Sequence, residues 1–158
     1  MNKPTLYLMV GIPGSGKSWY AKGLLANQEN TMYISRDSIR FKFLKENDEY
    51  FAKEDVVFNS FVSLIKKHLY DGENVIADAT HLNRKSRMKV LNNLDLSKIK
   101  ICVVYMDVPL DICLERNSKR EGRAKVPPTI IKNMYKNLTY PDKKEQDYYD
   151  TIIRVYNY

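Results

Sequence analysis

The residues best suited to chemistry lie in Gly11 to Ser18, which reads GIPGSGKS and fills every fixed position of the phosphate-loop pattern G-x-x-x-x-G-K-[ST]. Gly11, Gly14 and Gly16 can take backbone angles closed to other residues, so successive N–H groups turn inward on phosphate oxygens. Pro13 stiffens the loop, and Ser15 belongs to the same phosphate-facing run. Lys17 supplies a point charge for the outer phosphates and Ser18 a hydroxyl for Mg²⁺, while a helix starting here adds a favourable dipole. The pattern calls for a nucleoside triphosphate with its metal. An ordinary glycine-rich turn would lack the apolar run before it and the helical pattern after it.

Three further groups follow in the chain. Ser35-Arg36-Asp37-Ser38-Ile39-Arg40 ends a short apolar run, placing a carboxylate and two arginines where open α/β sheets bind ligands. The alternative for Asp37 is structural, since Asp37 or Ser38 would make a good helix N-cap. Asp78 ends the apolar run Val75-Ile76-Ala77 and is placed to hold Mg²⁺ or its water, against a turn or capping role. Ala79 stands where many phosphate-loop ATPases carry a water-activating glutamate, which favours transfer over hydrolysis. Arg116 to Lys125 holds five cations and one glycine, as expected of a basic lid over phosphates or of a charged surface loop.

These residues need a framework of alternating strands and helices. Leu6 to Val10 reads as a buried parallel strand, and Trp19, Tyr20, Leu24 and Leu25 as one face of the next helix, with packing the chief role of Trp19. Met32 to Ile34 is the second strand. Phe51, Val56, Val57, Phe58, Phe61, Val62, Ile65 and Leu69 suit a long helix over 50–70, ended by Asp71-Gly72. Asn83 to Arg87 opens another helix whose basic residues face solvent or phosphate. Ile99 to Met106 is a strand, Pro109 and Asp111 begin a helix, and Ile130, Ile131, Met134, Tyr135 and Leu138 share a helical face. Ile152 to Tyr156 closes the series. This alternation predicts an α/β fold: a five-stranded parallel sheet with helices on both faces and a basic lid at about 116–126, in a single domain over 1–158.

Composition narrows the classes. Of the 158 residues 44% are hydrophobic and 28% charged, without a membrane-spanning run or signal-peptide pattern, so a soluble cytoplasmic protein is expected. Two cysteines, Cys102 and Cys113, lack metal or redox spacing and read as packing residues. His68 and His81 are too far apart for a metal cluster, and His81 reads as a surface residue more readily than a catalytic one. The tail tyrosines Tyr148 and Tyr149 read as packing residues. A net charge of +7 favours anionic partners, nucleic acid or phosphorylated metabolites, without choosing between them.

With GIPGSGKS, ISRDSIR, IADATHLN and RNSKREGRAKVPPTIIKNMYKNL in this order, the chain resembles the P-loop kinase family that includes the kinase module of bacteriophage polynucleotide 5′-kinase. The resemblance implies ATP- and Mg²⁺-dependent transfer of the γ-phosphoryl group to a 5′-hydroxyl end of DNA or RNA. It implies that Asp37 is the general base, that Arg40 holds the acceptor's phosphate and that Val126 contributes to the acceptor site. Lys17, with Ser18 and Asp78 at the metal, would serve the phosphates, and Arg120 would stabilise the phosphoryl group in flight. An extra residue near Glu121-Gly122 leaves Arg123 as the alternative lid arginine. Two other readings stay open: a kinase of a nucleoside, sugar or nucleotide-linked sugar, and a nucleotide-binding regulatory module without an acceptor. DNA against RNA preference and self-association into a homo-oligomer are open as well.

Overall fold

The three central apolar runs become strands buried on both faces of one sheet, and the two edge strands are only partly covered. The structure, a computed structural model, describes residues 2–158. The strands are β1 (Thr5–Val10), β2 (Thr31–Ser35), β3 (Asn74–Asp78), β4 (Lys100–Met106) and β5 (Thr151–Val155). All pairs are parallel in the order β2-β3-β1-β4-β5, with Leu8 opposite Ala77 on one side and Val103 on the other. The expected five-stranded parallel sheet is the one observed.

Alternation along β1 divides the core. Leu6, Leu8 and Val10 point to the face covered by α3 (Glu54–Tyr70) and α4 (Arg84–Leu91), where Val57, Phe61, Ile65 and Leu91 are buried. Met9 joins Ile76, Val104 and Met106 beneath α1 (Lys17–Ala26). A third cluster, Ile12, Val108, Cys113, Val126 and Ile131, joins α5 (Leu110–Ser118) to α6 (Pro128–Asn137). Phe61 has no exposed surface, and truncating such a side chain to alanine costs about 3–5 kcal/mol. Cys102 and Cys113 are free and buried, in keeping with packing roles.

Several local expectations are corrected. The long helix begins at Glu54, and Phe51 lies in the turn before it, 45% exposed. Val56 is exposed too, because the core face of α3 starts at Val57. The helix α2 (Arg36–Phe43) is capped by Ser35, whose hydroxyl accepts from the Ser38 N–H, so neither Asp37 nor Ser38 is the cap. Pro109 precedes the first turn of α5. Trp19 is exposed, as is Tyr148.

Arg87 departs furthest from expectation. It faces neither solvent nor phosphate but is fully buried, donating Nε to Glu145 Oε2 at 2.6 Å, Nη2 to Oε1 at 2.9 Å and Nη1 to the His81 carbonyl. Glu145 sits on α7 (Lys143–Gln146), a short helix that the apolar pattern did not announce, and accepts also from the Tyr149 hydroxyl.

Candidate active site

The carboxyl ends of β1, β3 and β2 lie side by side, so the loops leaving them share one cleft of about 650 Å³. In a parallel sheet this edge is where ligands bind, beside the point at which the chain reverses its winding direction.

The β1 loop leads into α1 through two glycines in the left-handed region, where any side chain would be strained. Gly14 has φ 85°, and a Cβ there would stand 2.4 Å from the Cys113 carbonyl oxygen. Gly16 has φ 90°, and its Cβ would meet Asn157 Nδ2 at 2.3 Å. Gly11 spends its N–H on the Thr80 carbonyl at 3.0 Å, which ties the loop to the end of β3. Among the described residues, the buried Ser15 Oγ has no partner and no side chain caps α1. Pro13, Gly14, Gly16, Lys17 and Ser18 line the cleft. First-turn N–H groups without a side-chain cap and with no acidic neighbour suit an anion.

Burial lowers the Lys17 pKa from its ordinary value, while Asp78 and Asp37 pull it back and Arg120 adds to the lowering. All four groups line the one cleft. Ser18 donates its hydroxyl to Asp78 Oδ2 at 2.9 Å, and the Tyr33 hydroxyl donates to the same oxygen. Burial, then Asp78, raises Tyr33 to about 12, so it remains a donor. A hydroxyl and a carboxylate side by side fit one edge of an Mg²⁺ shell, which water and phosphate oxygens ordinarily complete.

On the opposite wall α2 presents Asp37. Its Oδ1 accepts from Arg40 and, at 2.7 Å, from the Tyr50 hydroxyl, while its side chain stays 57% exposed. All three nitrogens of the Arg40 guanidinium are engaged. Nη2 and Nε reach the two oxygens of Glu54 at 2.7 and 3.3 Å, and Nη1 reaches Asp37 and Tyr50. Arg40 is buried, which works against its charge, but Glu54, Tyr50 and Asp37 outweigh this and hold its pKa up. Arg36 also donates to Glu54, at 2.7 Å.

The lid separates the candidate arginines. Its neck is closed by Asn117, which donates Nδ2 to the Val126 carbonyl at 2.7 Å and accepts from the Val126 N–H at 2.9 Å. Arg116 belongs to α5 rather than the lid and braces the phosphate loop through the Gly14 and Asn157 carbonyls. Arg120 lines the cleft, whereas Arg123 turns away and donates to the Phe41 and Leu44 carbonyls at the end of α2. Val126 is buried between α5 and α6 and does not line the cleft, because its backbone is taken by Asn117 and its side chain by Ile12 and Ile131.

His81 is likewise not a surface group. It is buried with φ 42°, Nδ1 lies 2.6 Å from the Met9 carbonyl, and burial lowers its pKa to about 3. Glu54, Tyr50, Tyr33 and Asn117 were missed by sequence reasoning. Only the position of Tyr50 and Glu54 at the start of a helical run that follows ISRDSIR offered a signal.

Comparison with known proteins agrees with this fold. A family model described as an AAA domain, AAA_33, matches residues 6–141. An L-seryl-tRNA(Sec) kinase of Methanococcus maripaludis is 29% identical over 143 residues, covering 88% of this chain and 54% of its own. A protein of Autographa californica nuclear polyhedrosis virus, named a bifunctional polynucleotide kinase/RNA ligase, is 33% identical over 146 residues, covering 84% of this chain and 20% of its own. The chain thus spans about half of one relative and a fifth of the other. A chain of the Pnkp1/Rnl/Hen1 RNA repair complex superposes with a TM-score of 0.76 at 24% identity, over 95% of this chain and 47% of that one, and so shares the fold. No helix among the described residues is long and apolar enough to cross a membrane. By the match over residues 6–141 and by its phosphate loop on a five-stranded parallel sheet, the chain belongs to the AAA_33 family of AAA domains and has the P-loop kinase fold.

Proposed function

We propose that this chain is an ATP-dependent polynucleotide 5′-hydroxyl kinase. The observation that carries the reading is the half-exposed Asp37 carboxylate facing the same cleft as Lys17 and Arg120. Nucleotide binding alone needs no carboxylate opposite the phosphate loop, which counts against a module without an acceptor. The viral relative whose name states polynucleotide kinase, and the basic net charge, support a nucleic-acid acceptor.

The chemistry asked of the protein is alignment and charge neutralisation. The acceptor's hydroxyl proton passes to Asp37 as the bond from its 5′ oxygen to the γ-phosphorus forms and the bond from that phosphorus to the β-bridging oxygen breaks. Phosphorylated end and ADP leave. Arg40, held by Glu54, and the Tyr50 hydroxyl fix the Asp37 carboxylate in its rotamer. With its donors so committed, Arg40 acts through Asp37 more than on a phosphate. Lys17 and Arg120 take up charge on the transferring group. Ser18 and Asp78 would hold Mg²⁺, which supplies charge neutralisation and orientation of the phosphates when bound.

The test is incubation with γ-labelled ATP, Mg²⁺ and a short 5′-hydroxyl oligonucleotide beside its 5′-phosphorylated copy. Label on the hydroxyl strand alone supports the reading. Absence of label from both strands, in protein that binds ATP, overturns it. The archaeal relative, whose name states a different acceptor, supports a second reading, a kinase of another hydroxyl compound. Salt separates a polynucleotide acceptor from a small neutral one, because the former, held by several phosphate contacts, weakens steeply as salt rises. An acceptor hydroxyl borne elsewhere on a nucleic acid is separated by label that a 5′-phosphorylated copy still takes up.

A further inference from the structure

Phe51 has no part in the core clusters, yet it lines the cleft beside the groups assigned to the reaction. Its ring is 45% exposed and stands edge-on to Tyr50, with centroids 4.6 Å apart and an interplanar angle of 86°. The Arg40 guanidinium carbon lies 5.7 Å from the Phe51 centroid and 4.4 Å from that of Tyr50. A rigid apolar ring, braced by a second ring and a buried cation, is thus held open to solvent next to Asp37. Leaving such a ring part-exposed forgoes burial that a core position would supply. Leu82, Ile130 and Met134 line the same cleft, with the polar side chains of Thr129 and Asn133 among them.

From this wall we infer that Phe51 is a stacking platform for the nucleobase of the acceptor's terminal residue, a specificity determinant on the acceptor side of the cleft. The inference rests on the polynucleotide reading above and deepens it. A flat π-faced group with polar edges matches an aromatic floor in a cleft also lined by aliphatic side chains, and stacking of this kind tolerates any base. A phosphate has no apolar face, and a sugar has no π system. The donor nucleotide's own base is the weaker fit, because a triphosphate separates it from the reacting phosphorus. Tyr50, adjacent to Phe51, bonds directly to the carboxylate that meets the acceptor hydroxyl.

The test compares two 5′-hydroxyl oligonucleotides, alike except that one carries an abasic terminal residue, as acceptors for wild type, Phe51→Ala and Phe51→Trp. Trp19 is the sole tryptophan of wild type and Phe51→Ala, is 67% exposed and lines the same cleft, so its fluorescence reports acceptor binding in those two proteins independently of turnover. Wild type is expected to bind and phosphorylate the base-bearing end with a KM lower by about tenfold or more. Phe51→Ala should erase most of that preference while leaving the KM for ATP in place, and Phe51→Trp should keep it. Equal use of both acceptors by wild type, equal loss on both acceptors in Phe51→Ala, or a rise in the KM for ATP alone would each overturn the platform while leaving the kinase reading intact. No label on either acceptor from wild type would overturn both.

Discussion

Arg87 and Arg40 each grip a glutamate with two nitrogens and have a tyrosine hydroxyl in the same cluster, and they differ in what is left over. Around Arg87 everything is matched. Arg87 and Glu145 are buried, Tyr149 and Arg87 occupy both carboxylate oxygens, and the remaining guanidinium nitrogen reaches the His81 carbonyl. Around Arg40 there is a second carboxylate, Asp37, whose Oδ2 accepts no hydrogen bond among the described residues and whose side chain opens on the cleft. The same residue types therefore build a closed cluster that joins α4 to α7 and an open one whose carboxylate faces the cleft, the group proposed above as the base. A spare, solvent-facing valence is what separates chemistry from architecture here.

Breaking the closed cluster should have the largest effect, and only on folding. Arg87→Met leaves Glu145 buried without its partner and should cost about 3–5 kcal/mol in urea unfolding, with the rate of transfer per folded molecule retained. A loss of rate without loss of stability would erase the distinction between the clusters.

The cleft answers in the opposite way. Arg120→Ala should slow transfer about a hundredfold or more, ~3 kcal/mol of transition-state stabilisation, with little change in unfolding. Arg123→Ala should have a much smaller effect on the chemical step, since its guanidinium is spent on the Phe41 and Leu44 carbonyls. Reversal of that order would show that the lid register is wrong.

His81, whose carbonyl belongs to the closed cluster, makes that side of the molecule acid-sensitive. Its imidazole titrates near 6.5 when unfolded and near 3 when folded, because burial opposes its charge. The unfolded chain therefore holds more protons between those values, and stability present above the higher one declines as pH falls. By about pH 5 the decline attributable to His81 is about 2 kcal/mol. His81→Asn, which tolerates the left-handed backbone at this position, should flatten the slope between urea midpoints taken at neutral and acid pH. An unchanged slope would assign the acid sensitivity elsewhere.

The smallest expected change sharpens the open cluster. Tyr50→Phe removes one hydrogen bond to Asp37 and should lower kcat by about five- to tenfold, ~1 kcal/mol, leaving the KM for ATP alone. An unaltered kcat would mean that Arg40 orients the carboxylate without help.

The two clusters also mark how far sequence reading could go. The phosphate loop, Asp37 and Asp78 were legible because each lies at the end of an apolar run, and in a parallel sheet the strand ends gather at one edge. Their partners were not. Periodicity tells which side of an element is apolar but not which distant residue will meet a charged one there. Arg87 therefore reads as facing solvent or phosphate, although it is buried on Glu145, 58 residues on. Asn117 was hidden for the same reason, since a side chain that bonds both backbone groups of Val126 leaves no compositional trace. Phe51 matched the helical pattern by position and fell outside the helix because α3 starts three residues later.

The central claim, that the open cluster presents a base and not a structural pair, is tested most directly by Asp37→Ala, with end-label transfer and urea unfolding measured on one preparation. Transfer to the 5′-hydroxyl oligonucleotide should fall by about a thousandfold or more while ATP still binds. Unfolding should change by less than about 1 kcal/mol, as for a half-exposed ion pair. Transfer retained to within roughly a factor of ten of wild type would contradict the claim, since a missing general base is worth at least about a hundredfold.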